Sequence, residues 1–306
     1  MRYRFLFAVA GIAVFAVVAL AVYAQKPAST WNAPRTPWGD PDLQGTFSFH
    51  TITPLERPKE FEGKEYLTDQ EAAALEKAAK DAETDEARFD DADRDVAAAY
   101  NDFWWDRALN VVETHRTSLI VDPSDGKIPA LTPEAQKRAQ LEPSHRPLRA
   151  TGGFQGGVGG DSWFDRSLWE RCITQGLPRI SSAAYNSNIE ITQAPGNVVI
   201  LYEMIHEARV IPLDGRAHVG KNIRQYLGDS RGYWEGDTLV VDTTNFGSKT
   251  NFRGSTDNLH MIERFTRAGP ATINYEVTFD DPTTWTRSWT AATHWKQIPS
   301  RIYEYA

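Results

Sequence analysis

The chain has 306 residues, and its 33 Lys and Arg against 41 Asp and Glu give a formal net charge of −8. That balance argues against a nucleic-acid footprint, so no nucleic-acid partner is expected. The apolar and charged fractions are those of a globular protein, which excludes a disordered or fibrous chain and leaves one large all-β domain or two ordinary ones.

The N-terminus reads as an export signal. Arg2 and Arg4 make a short positive end, Phe5 to Val22 is an unbroken apolar run, and Val22-Tyr23-Ala24 offers small residues where a signal peptidase reads. Residues 1–24 are therefore expected to be a cleaved signal peptide and the mature protein to be periplasmic or secreted. Left uncleaved, the run would be the chain's one contact with a membrane, near the lower limit of bilayer-spanning length. Cys172 is the only cysteine. An exported chain with one Cys has no internal disulfide, and the thiol is either buried or waiting for a partner outside the chain.

Residues 25–45 form a Pro- and Thr-rich linker and lead-in. Residues 46–183 read as an irregular, partly helical wrapping region. Within it, Thr46 to His50 is a short strand candidate. Thr68-Asp69-Gln70-Glu71 is a capping box that opens a helix from Ala72 to about Ala87. The acidic run Asp81 to Asp95 lacks the ligand order of a calcium loop and reads as a solvated face. Tyr100 to Arg107 carries consecutive aromatics, so at least one inserts under a neighbouring element. Thr117 to Val121 reads as a strand, and Thr132-Pro133-Glu134 as a helix start with Pro at its first position. The glycine-rich stretch 152–160 has no strand before it and no Lys-Ser or Lys-Thr after it, so it reads as a flap. Asp165 to Ile173 is a short helix candidate.

Residues 184–306 change to strands and tight turns. Ile189 to Gln193 ends at Ala194-Pro195-Gly196-Asn197. Val198 to Ile211 is a long strand or bent pair. Trp234-Glu235-Gly236-Asp237 turns into Thr238 to Thr243, Ala268-Gly269-Pro270 joins two further strands, and Trp285 to Trp295 is the last. Strands joined mainly by hairpins imply an antiparallel sheet, and one of this extent must close or be covered. The expected fold is mainly β, a lipocalin-like antiparallel barrel or half-barrel over residues 184–306, with a β-sandwich as the alternative.

Several stretches together resemble a widespread, largely uncharacterised group of exported bacterial proteins. They are Thr36-Pro37-Trp38-Gly39-Asp40-Pro41-Asp42-Leu43-Gln44-Gly45, Tyr100 to Arg107, Ser167 to Ile173, Tyr202 to Arg209, Asp229 to Phe246 and Asp281 to Thr290. The resemblance covers most of residues 31–306 and implies no activity and no catalytic residue. It also implies a Cys-His tail beyond Ala306, where Cys172 would find its partner.

Candidate chemistry comes from ionisable residues in strand patterns. Alternation from Val199 places Glu203, Glu207 and Arg209 on one face and His206 on the other; Glu263 shares a face with Leu259, Met261 and Phe265. A carboxylate among apolar neighbours is either paired or raised in pKa, and both outcomes suit acid–base work. The structural reading is an ion pair, Glu203 with Arg209 or Glu263 with Arg231. Trp285, Arg287 and Trp289 share the last strand's face, either as an aromatic ligand wall with one guanidinium or as core. Gly228-Asp229-Ser230-Arg231-Gly232 matches a nucleophile-elbow pattern, but no helix follows it. The seven histidines include no H-E-x-x-H, so no metal and no cofactor is expected.

Two functions follow as expectations. One is a cell-envelope protein binding a small apolar, aromatic or sugar-like ligand in a barrel pocket, through Arg209, Arg231, Trp285, Arg287 and Trp289. The other is a lyase, isomerase or hydrolase using Glu203 or Glu263 with His206.

Overall fold

A computed structural model describes residues 31–82, 91, 93, 96, 107–141, 168–180, 186–250 and 252–303. The expected signal segment, the glycine-rich flap and the aromatic run up to residue 106 lie outside them. So does the greater part of the acidic run. Among the described residues no helix is long and apolar enough to cross a membrane.

Ten strands carry the fold: β1 (Gly45–Ser48), β2 (Ile120–Asp122), β3 (Asn188–Ala194), β4 (Asn197–Tyr202), β5 (Glu207–Pro212), β6 (Asp229–Glu235), β7 (Thr238–Thr244), β8 (His260–Gly269), β9 (Thr272–Asp280) and β10 (Trp289–Gln297). Local chemistry explains their joints. Pro195-Gly196 turns β3 into β4 with Gly196 at φ +78°, a conformation that only glycine adopts cheaply. The same holds at Gly236, φ +59°, between β6 and β7. Helix α1 (Asp69–Asp81) starts with the expected reciprocal capping box between Thr68 and Glu71, and α2 (Pro133–Leu141) follows Thr132, whose hydroxyl accepts from the Ala135 amide. Helix α1 stops at Asp81, short of the expected Ala87.

The strands form an antiparallel sheet in the order β5-β4-β3-β1-β10-β9-β8-β7-β6, with β2 added beside β10. It is nearly closed into a barrel, with one unsealed seam between β5 and β6. One wall comes from outside the 184–306 segment: β1 pairs with both β3 and β10.

The seam follows from counting. Every neighbouring pair along this nine-strand path is antiparallel, so β5 and β6 at its two ends run in the same direction. An all-antiparallel barrel closes only with an even number of strands. Side chains confirm the parallel sense: Arg209 meets Ser230, while Gly232 packs under Ile211 and Leu213, so both strands advance together. A Cβ on Gly232 would come within 2.5 Å of Leu213 and 2.8 Å of Ile211, which is why glycine stands there. A chain joining two parallel strands must travel back along them. Residues 213–228 do this as a strap outside the barrel.

Pairing registers stack the inward side chains into layers. Trp289, Phe279, Met261, Thr243 and Ser230 make one; Thr293, Tyr275, Phe265, Leu239 and Trp234 make another. Between them lie Ala291, Val277, Glu263, Val241 and Gly232, a layer of small residues around one carboxylate. Small side chains at that height leave room for a long one reaching in from β5.

Of the two forms expected for Val198 to Ile211, it takes the bent pair: a 3-10 turn, Met204–His206, breaks it, with φ of 66° at Ile205 and 43° at His206. The face alternation read through this stretch therefore fails. Val198, Ile200 and Tyr202 are buried on β4, and Arg209 and Ile211 on β5. The last strand begins at Trp289 rather than Trp285, because Asp281 holds the preceding turn by accepting from Thr256, Thr283 and Thr284. Arg287 consequently lies outside the barrel.

Candidate functional site

Arg209 fills the small-residue layer. It projects inward from β5, only 3% exposed, and places Nη2 2.6 Å from Oε2 of Glu263, which is 1% exposed. Its Nε donates to Ser230 Oγ at 2.9 Å and its Nη2 to Thr243 Oγ1 at 2.7 Å. The Tyr275 hydroxyl donates to Glu263 Oε1 at 2.9 Å. One guanidinium thus ties β5 across the seam to β6, β7 and β8.

The electrostatics fit a desolvated ion pair. Burial opposes the charge on Arg209, and the Glu263 carboxylate more than offsets it, so the guanidinium titrates above its ordinary range. Burial pushes the Tyr202 hydroxyl up to about 12, opposed by Arg209 and reinforced by Glu263. Tyr275 also lies well above its ordinary value, through burial first and the Glu263 charge second. The Tyr202 hydroxyl also engages the Arg209 guanidinium, while Arg209 Nη1 and Glu263 Oε2 lack partners of good hydrogen-bond geometry among the described residues. Buried polar atoms are seldom left so.

The site opens outward at the seam. An open cleft of about 300 Å³ is lined by Ala208, Arg209 and Val210 of β5, by Leu227 of the strap, and by Ser230 and Arg231 of β6, among others. Sequence reasoning singled out Arg209 and Arg231, and the structure brings both to this cleft. It assigns their partners differently. Arg231 pairs with Asp229 at 2.8 Å, and Glu263 pairs with Arg209. Glu203 accepts from the Asn188 side-chain amide at 2.8 Å, and Glu207 pairs with Arg179 at 3.0 Å.

The other named residues stand elsewhere. His206 is exposed on the 3-10 turn while Glu263 lies inside the barrel, so the structure does not bring this acid–base pair together. Trp285 and Trp289 are fully buried; Trp289 stacks on Phe279 with centroids 4.1 Å apart, and Trp285 meets it edge-on at 5.5 Å. Arg287 is bound to the Asp122 carboxylate at the surface. Ser230 accepts from Arg209 and sits 3.2 Å from Thr243, with no imidazole on it among the described residues. Cys172 is exposed.

A second ionisable cluster escaped the sequence reading. On the outer face of the same strands, His218 of the strap sits between two carboxylates: Nδ1 is 2.9 Å from Asp229 Oδ2 and Nε2 is 3.1 Å from Asp242 Oδ1. His260 Nε2 reaches the same Asp242 oxygen at 2.9 Å. No group of three or more His, Cys, Asp or Glu among the described residues is arranged to hold a metal ion. The members come from the strap, β6, β7 and β8, so no spacing in the sequence announces them.

No family model matches the chain, and no curated protein matches it.

Proposed function

We propose that this is an exported β-barrel that binds a small ligand at its seam, the ligand's polar group held by Arg209 and Arg231. One observation carries the reading. Arg209 and Arg231 both line an open cleft at the seam, beside Ser230. A ligand's carbonyl or carboxyl entering the cleft would be drawn to these guanidinium-bearing residues. Val210, Pro212 and Leu227 offer an apolar wall for the rest of the ligand, which favours an apolar or aromatic body bearing a carbonyl, carboxyl or hydroxyl. Arg2, Arg4 and the apolar segment behind them support a place in the cell envelope or outside it. The acid–base reading loses its Glu263 form, because His206 is exposed on the 3-10 turn and Glu263 lies inside the barrel, and keeps only Glu203 with His206.

Native mass spectrometry of the protein purified from its own envelope tests this. A bound small molecule is expected in the wild type and lost in Ala208→Trp, which fills the cleft without touching the ion pair. An empty wild-type protein, or a ligand kept by Ala208→Trp, would sink the proposal.

A further inference from the structure

The strap joins β5 to β6, the two edges of the seam, and its middle is held by side chains. Asp229 Oδ2 accepts from the Val219 amide at 3.0 Å as well as facing His218. Asn245 Nδ2 donates to the Val219 carbonyl at 2.9 Å, and Arg231 Nε to the Ala217 carbonyl at 3.2 Å. Further along, the Gln225 amide bonds the Asn245 carbonyl at 3.0 Å, just before the cleft-lining residues Leu227 and Gly228.

His218 is the unusual member. Both its ring nitrogens face carboxylate oxygens, and carboxylates only accept. An imidazole can donate to both only when both nitrogens carry protons. With one proton, a nitrogen lone pair faces a carboxylate oxygen at about 3 Å, which is repulsive. His260 differs: its single contact to Asp242 survives in a neutral tautomer that keeps the proton on Nε2. Among the described residues, the other titratable or charged groups beside the cluster include Arg231 on β6, which pairs with Asp229, Tyr233 on β6, which couples to Asp242, and Asp280 on β9, opposite His260 in register.

We infer that His218 is a proton-operated latch: doubly protonated, it clamps the strap to β6 and β7, and on losing a proton it frees the strap's middle, upstream of the cleft-lining Gln225, Leu227 and Gly228. This deepens the proposed function, since it supplies the regulation of that same site. The Asp242 carboxylate supports it from the neighbouring position. Burial opposes its ionisation, but hydrogen bonds and charge from His260 and then His218 hold it below the ordinary carboxylate range, so it stays an anion while His260 titrates. An exported protein meets changes of pH that a cytoplasmic one does not, and a histidine is the side chain that reads them.

Hydrogen exchange of the ligand-free, full-length protein tests the latch without reference to any ligand. Protection factors, corrected for intrinsic exchange, are compared for peptides covering 214–224 at about pH 5.5 and about pH 8.5. The expected result is a fall of roughly tenfold or more in the wild type, while β8 and β9 peptides hold constant. His218→Gln, a half-exposed and conservative change, is expected to show low protection at both pH values. Asp242→Asn gives a second variant with a reduced pH response. A pH-independent strap in the wild type, or a His218→Gln protein that keeps the full response, overturns the latch. Neither outcome bears on whether the cleft binds a ligand, which the Ala208→Trp comparison decides separately.

Discussion

The two faces of the β6–β8 wall carry the same device in different media. Inside, Arg209 bridges Ser230, Thr243 and Glu263. Outside, His218 bridges Asp229 and Asp242, with His260 beside them. The residues concerned are next-door neighbours in sequence, 229 against 230 and 242 against 243, and one step along a strand moves a side chain to the opposite face. Inside, the charges are desolvated and fixed, and removing one leaves the other stranded. Outside, His218, Asp242 and His260 are partly hydrated and cheaper to break, although Asp229 itself is buried. Burial, more than residue type, separates a permanent tie across the seam from a reversible one.

The largest expected effect is on the inner tie. Glu263→Ala leaves a buried guanidinium unpaired and is expected to cost about 3–5 kcal/mol, read from the shift in denaturant midpoint. The double change Arg209→Met with Glu263→Leu should recover most of that loss, because two apolar chains of similar volume avoid the desolvation altogether. A single variant that costs under about 1 kcal/mol would show that water reaches the pair, and the contrast between the two faces would dissolve.

Tyr275→Phe is a smaller cut at the same place. It removes the hydroxyl that donates to Glu263 Oε1 and leaves ring packing on Trp295 intact. Urea unfolding should report a loss of about 1.5–3 kcal/mol, the range for a hydrogen bond to a buried charge. A neutral result would mean that Glu263 finds another donor.

The smallest effect belongs to the outer cluster, and its sign depends on pH. His260 is raised above its ordinary 6.5, chiefly by its hydrogen bond to Asp242, so its contribution is full below 6.5 and fades as pH rises through the raised value. Asp242 is lowered below 3.8, so its contribution is full above 3.8 and fades as pH falls through the lowered value. The Asp242–His260 pair therefore stabilises fully between those limits. Asp242→Asn should lower Tm most within that window, by an amount equivalent to less than about 1 kcal/mol, and progressively less at alkaline pH. A Tm difference that grows above the raised His260 value would reverse the assignment of proton donor and acceptor.

The sequence by itself determined the local structure. Pro195-Gly196 and Gly236-Asp237 specify two hairpins, because a left-handed φ needs glycine. The capping box at Thr68 and the Thr132-Pro133 start specify two helix beginnings through amide donors that only a nearby side chain can satisfy. Alternation on Leu259, Met261, Glu263 and Phe265 placed Glu263 inside a β core, and the barrel followed from hairpin-linked strands that must hide their edges. Arg209 and Arg231, singled out from the sequence, both line the seam cleft. Only the tertiary structure decided the rest. The bend at Ile205 and His206 breaks a pattern that reads as continuous, and it moves His206 away from the barrel's carboxylate. Arg209 and Glu263 are far apart in the chain and meet because β5 and β8 face each other across a closing sheet. The insertion of β1 makes the path nine strands long, and that odd number leaves a parallel seam, an outside strap, and the histidine that fastens it. Spacing within a segment reports on turns and faces; which segments become neighbours is set by how the whole sheet closes.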